Sequence, residues 1–183
     1  MKGIRIGIVL FLLNINFIMA QGYETQSYEV IQNFEEGEIR FYPQVMMAKT
    51  SSQSGFSSLF KYISGNNTKR QKIAMTTPVH MDKNEGKGTM EFVLPKKFDM
   101  ENTPLPLGSN VELYQAEAGY FIAFKFSGYT NPKKEQMVID KGKEVLKNNN
   151  ISYTDAPIVL VYNSPYAFFN RKNEILFPID FEK

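Results

Sequence analysis

The 183-residue chain has no cysteine, no tryptophan and one histidine, and its acidic and basic residues nearly balance. Each absence closes off chemistry. Without cysteine there is no disulfide framework, no thiolate nucleophile, no thiolate metal site and no lipidated cysteine. With His80 as the single imidazole, a two-histidine zinc centre is excluded. No glycine-rich phosphate loop follows a strand, and no serine sits in a nucleophile elbow. The adjacent carboxylates Glu35 and Glu36 fall at a turn, where solvated charge is their ordinary state. No catalytic set emerges, and the chain reads as a binding protein rather than an enzyme.

Long apolar runs are scarce as well, with one exception at the N-terminus. Lys2 and Arg5 precede an apolar stretch from Ile6 to Met19 that ends in Ala20 before Gln21 and Gly22. This is the layout of a secretory signal peptide, with the protein exported to a periplasm or secreted. An uncleaved membrane anchor is the alternative, weakened by the short run and by Asn14 and Asn16 within it. The chain has 21 basic and 19 acidic residues, so losing Lys2 and Arg5 with the leader leaves 19 of each. A neutral mature chain has no field to hold a phosphate backbone, which argues against a nucleic-acid partner.

What remains is ordinary globular material rich in large rings. Hydrophobic residues make up 43% and charged residues 22%, which excludes wholesale disorder, and 15 Phe with 10 Tyr supply the core. The length fits one domain, placed at 28–183 after a leader at 1–20 and a short extension at 21–27.

Alternation of period two predicts strands at 28–31, 38–42 and 45–49. Phe56, Leu59, Phe60 and Ile63 then fall at i, i+3, i+4 and i+7, one apolar face of a helix that Ser54 can cap and Gly65 can end. Strands follow at 72–81 and 89–94, joined by a charged, glycine-containing turn. After a proline-rich connection the order repeats: strands at 111–116 and 120–126, a helix capped by Asn131 with Pro132 at its first position, and strands at 158–162 and 174–179. Gly142 weakens that second helix by about 1 kcal/mol relative to alanine. Two β-β-α-β-β halves predict an α+β fold, in which they join edges into a distorted β-barrel flanked by two helices.

The stretch KIAMTTPVHM, residues 72–81, holds the lone histidine. Its period places Ile73, Met75, Thr77 and Val79 on one face and Ala74, Thr76, Pro78 and His80 on the other. The first face is the more apolar and is expected to point inward, leaving His80 turned away from the interior. His80 is either a rim residue or a single axial nitrogen for an iron. Met75 is either core filler or soft lining for a flat ligand. Lys69 and Arg70, just after the helix, are either solvated or partners for ligand carboxylates.

Several stretches in order carry a family resemblance: FSSLFKYISGNN, KIAMTTPV, MEFVLPKKF, FIAFKFSGY and YNSPYAFFNRKNEILF. Together they resemble the SOUL/haem-binding protein family over nearly the whole mature chain. The resemblance implies a duplicated barrel with two flanking helices and reversible, non-catalytic binding of haem or free porphyrin in an apolar cleft beside the first helix. Carried onto this chain, that cleft draws on Phe56, Leu59, Phe60, Ile63 and Met75, with Lys69 or Arg70 available to propionates. Histidine is not a fixed part of the KIxMTxPV pattern, so the resemblance does not make His80 a ligand, and it stays a candidate metal ligand on its own chemistry. The alternative is a module of the same fold that binds another hydrophobic ligand or a protein partner without haem.

Overall fold

The computed structural model describes residues 23–51, 55–82 and 88–181. The leader, the Ser54 cap and most of the turn after Asp82 lie outside them. The elements are β1 (Glu24–Thr25), β2 (Glu29–Asn33), β3 (Glu38–Tyr42), β4 (Val45–Ser51), α1 (Gly55–Ile63), β5 (Thr76–Thr77), β6 (Val79–Asp82), β7 (Thr89–Val93), β8 (Glu112–Ala116), β9 (Gly119–Ser127), α2 (Pro132–Asn148), β10 (Ile158–Val161) and β11 (Lys172–Ile179). All strands except β1 and β5 form one nine-stranded sheet in the order β2-β3-β9-β11-β10-β6-β7-β4-β8. Every pairing in it is antiparallel, and the sheet curls into a half-barrel. The α+β class, the two helices and the barrel-like sheet agree with the pattern of the sequence.

The duplication has a twist that periodicity does not reveal. The order β3-β4-α1-β6-β7 recurs as β8-β9-α2-β10-β11, yet each unit places its opening strand in the other. Thus β3 pairs with β9 and β8 pairs with β4, while the units meet where β6 pairs with β10. Neither unit keeps all of its own strands.

Both helices cover the same face of the sheet. Directly opposed residues share a face, and the register runs Ala48 to Phe92, Phe92 to Val79, and Val79 to Val161. Ala48 and Phe92 pack with Leu59, Tyr62 and Ile63 of α1. Continued through β11 and β9, that face carries Ile122, Phe124, Ile175 and Phe177, which pack with Val145 and Leu146 of α2. Gly142 is required here: a Cβ would lie 2.9 Å from the Phe124 ring and 3.0 Å from the Phe177 ring. The residue that weakens α2 as a helix is the one that lets it sit close to the sheet. Asn131 caps α2 by accepting from the Lys134 amide at 2.9 Å, with Pro132 at the first turn.

Among the described residues no helix lies on the other face, yet Met47, Arg40, Leu160, Glu174 and Ala123 on it are buried. The curl of the sheet and the N-terminal segment must cover them, so this is the inner face of the half-barrel.

Two local features depart from expectation. The single strand predicted over 72–81 is two strands, β5 and β6, broken at Pro78, which has no N–H for a ladder. Glu24 and Thr25, in the stretch expected to precede the domain, form β1 and pair in parallel with Thr76 and Thr77.

Candidate functional site

An open cleft of about 380 Å³ lies on the outer face, between α1 and the loop that joins β10 to β11. Its floor comes from Val79 and Met81 on β6, Met90 on β7 and Val161 on β10, with Met75 beside them. These are the outward members of alternating strands, which is why the floor is apolar although the strands are mixed. One wall is Phe56 and Phe60, one turn apart on α1, stacked with ring centroids at 5.6 Å. Phe56 also meets Phe92 edge to face at 5.3 Å, which fixes the pair to the sheet. The two rings are 44% and 50% exposed, so an apolar surface stands open to a ligand.

The opposite wall is formed by Thr130, Asn163, Ser164, Pro165 and Arg171. Arg171 is the only charged residue among the described residues that line the cleft. It is 7% exposed; its Nη1 donates to the carbonyls of Ser164 at 2.9 Å and Ala167 at 2.8 Å, and its guanidinium lies 4.2 Å from the centre of the Tyr129 ring. The loop it holds displays Tyr166, Phe168 and Phe169 to solvent.

This arrangement can accept a flat apolar body against the methionines and stacked rings, with one cation at the end. Among the described residues no group of three or more His, Asp or Glu side chains is placed to hold a metal ion.

A family profile described as SOUL heme-binding protein matches residues 23–178. The chain belongs to this family. As a SOUL-family chain it is 30% identical over 156 residues to "Heme-binding protein 2" of Homo sapiens, covering 75% of each protein. Its fold is shared with two solved structures at 10% sequence identity. One is a hydrolase from Listeria innocua (TM-score 0.59, 82% of this chain and 94% of that one), the other the EcmrR C-terminal domain (TM-score 0.57, 84% and 98%). At that identity the likeness is one of fold alone.

Within this SOUL fold, the residues singled out from the sequence separate into three groups. Phe56, Phe60 and Met75 line the cleft. Leu59 and Ile63 do not; they are 0% and 4% exposed and face the sheet beneath α1. A helix face four residues wide is broad enough to split between core and cleft, and only its flank is open. Lys69 and Arg70 also stand outside the lining residues. Lys69 donates to the Asn102 carbonyl at 2.8 Å, within the proline-rich connection, and Arg70 is exposed with φ of 47°.

His80 is on the inner face, reversing the orientation expected from its strand. It sits opposite Glu91 and Leu160 and is nearly buried. Its Nε2–H donates to Gln26 Oε1 at 2.8 Å. Burial pulls its pKa down to about 4, so the ring is neutral at pH 7. An imidazole on that face, across the sheet from the cleft floor, is not available to a ligand held there.

The inner face also holds a charged cluster. Arg40, fully buried, donates from Nη1 to Glu174 Oε2 at 2.8 Å and from Nη2 to Oε1 at 3.0 Å, a bidentate pair. Its Nε donates to Glu38 at 2.9 Å, and the Tyr28 ring lies 4.1 Å from its guanidinium carbon. The Tyr162 hydroxyl donates to Glu174 at 2.7 Å. Burial alone would raise the Glu174 carboxyl, but hydrogen bonds from Arg40 and Tyr162 outweigh it and hold it below the usual range. The donors are all satisfied internally, which makes this cluster structural.

Arg171, which lines the cleft, is not among the residues that the sequence pattern singles out. The signal was present in the RKNE stretch, which marks the family, but nothing in the local pattern ties it to a helix more than a hundred residues earlier.

Proposed function

We propose that this protein binds haem or a related tetrapyrrole, reversibly and without catalysis, in the cleft between α1 and the β10–β11 loop. The observation that carries this reading is an open apolar cleft, walled by stacked phenylalanines and floored by methionines, in a chain of the SOUL family. A relative is named for haem binding, which supports the same ligand class here. Burying about 200 Å² of apolar surface contributes about 5 kcal/mol, so contact alone gives useful affinity and no axial ligand is required. The flat stacked rings suit a flat macrocycle better than a branched or globular apolar molecule.

The test is a hemin titration of the purified protein followed at the Soret band. A shifted, saturable spectrum is expected at micromolar protein; a spectrum identical to that of free hemin overturns the reading. Mass spectrometry of the natively purified protein separates the second reading, in which another apolar molecule fills the cleft. Recovery of a porphyrin favours the first, and recovery of a different small ligand favours the second.

We further propose that the protein acts after export, on the strength of Lys2, Arg5 and the apolar run that follows them. An intact mass consistent with a new N-terminus near Gln21 in the extracytoplasmic fraction is expected. A chain that keeps Met1 in the membrane fraction would instead make the segment an anchor.

A further inference from the structure

We propose that Arg171 is the polar end of the cleft and receives a carboxylate of the bound ligand, so that the site selects acid-bearing apolar molecules over neutral ones of the same shape. This deepens the cleft reading and rests on it. Four observations converge on Arg171. It is the one charged residue among the described cleft-lining residues, and it is 7% exposed. Its Nη1 is committed to two backbone carbonyls, Ser164 and Ala167, and its plane is held against Tyr129. Its Nε is buried and has no hydrogen-bond partner. The residues expected from the sequence to meet an acid, Lys69 and Arg70, are absent from the lining, and Lys69 already donates to Asn102.

A buried donor on a charged group is costly to leave unmade, and folded proteins rarely do so without a reason. With Nη1 taken by the loop, the edge of the fork that carries Nε and Nη2 is the part left for a partner. Two parallel N–H groups on that edge match the two oxygens of a carboxylate, a geometry that lysine cannot reproduce. The apolar body of the ligand then rests on Val79, Met81 and the Phe56–Phe60 pair, and its acid reaches the far wall. A neutral ligand of the same shape fills the floor but leaves Nε unpaired.

Metal-free protoporphyrin IX and its dimethyl ester test this without involving iron. Binding of each is followed by porphyrin fluorescence, with the wild-type protein and with Arg171→Met and Arg171→Lys. The wild-type protein is expected to bind the diacid about tenfold more tightly than the ester, the size of one charge-assisted hydrogen bond. Arg171→Met is expected to lose that preference by weakening the diacid alone, and Arg171→Lys to restore only part of it. Equal wild-type affinities for diacid and ester overturn the role of Arg171 and leave the cleft reading standing. Equal weakening of both ligands by Arg171→Met also overturns it, and makes the residue a loop tie. Failure of the wild-type protein to bind either porphyrin overturns the cleft reading and this subsite with it. The wild-type comparison needs no variant, so a poorly folding substitution does not spoil the test.

Discussion

The two faces of the curled sheet are built from the same strands and do opposite things. On the outer face, Val79, Met81, Met90 and Val161 are apolar and open to the cleft. On the inner face, their neighbours in sequence His80 and Glu91 are buried along with the Arg40–Glu174 pair and an apolar cluster of Tyr42, Ala123, Leu160 and Leu176. Charge is buried where the fold is held together, and apolar surface is left open where a ligand is to be held. The difference teaches that burial of polar groups need not mark a binding site: here every donor of Arg40 meets an acceptor within the chain, while the cleft keeps unfilled surface.

The largest test of this division lies inside. Glu174→Ala leaves Arg40 buried without its bidentate partner and is expected to destabilise the protein by about 3–5 kcal/mol in equilibrium urea unfolding. Porphyrin affinity under folding conditions is expected to hold. A loss below about 1 kcal/mol would show that the pair is not structural, and a parallel fall in affinity would show that the faces are coupled.

The next effect depends on pH. The folded pKa of His80, about 4, lies below its ordinary 6.5, so the unfolded chain takes up the proton first. Stability is then fully present above pH 6.5 and falls as the pH drops towards 4, by on the order of 3 kcal/mol. The depressed Glu174 carboxyl adds its own loss at lower pH, as the solution approaches its folded pKa. Unfolding curves across this range are expected to show the first decline in the wild-type protein and not in His80→Gln. A variant that keeps the same slope between pH 6.5 and 4 would remove His80 as its source. His80→Gln is also expected to leave hemin affinity unchanged, since its ring faces away from the cleft.

The smallest expected change in stability belongs to the cleft. Phe56 and Phe60 are half exposed, so replacing both with alanine is expected to cost about 2 kcal/mol in unfolding while lowering hemin affinity about tenfold. The reverse pattern, a large loss of stability with affinity kept, would move the site elsewhere.

The elements and their duplicated order were legible because period-two strands and a period-3.6 helix stripe are local signals. The Asn131–Pro132 start of α2 is a local signal, and α1 forms where the Phe56–Ile63 stripe indicates. The more apolar face of KIAMTTPVHM does meet a core, with Ile73 buried and Met75 and Val79 packed beneath α1, but that core lies outside the half-barrel, so His80 faces in rather than away. In this fold the helices lie outside, so the apolar face of this strand turns outward to meet α1, and His80 faces an interior shared by apolar side chains and the Arg40–Glu174 pair. The fate of the α1 stripe was half legible. Spacing groups Phe56, Leu59, Phe60 and Ile63, but only the packed sheet decides which of them remain open. Lys69 and Arg70 are near α1 in sequence, yet Lys69 turns to the proline-rich connection and Arg70 is exposed, whereas Arg171 arrives at the cleft through the pairing of β10 with β11. Proximity along the chain was a poor guide to proximity at the site.

The exchange of opening strands between the two halves reaches into how the chain folds. Arg40 and Glu174, joined across β9, are separated by 134 positions. Pairings of that span give a high contact order and slow folding, because the cost of closing the loop falls due before any contact repays it. The first half in isolation would present β4 with no β8 along its edge, a bare ladder open to other chains. A chain cut in its proline-rich connection would therefore yield two fragments, each lacking the strand that the other carries, and complete only when recombined.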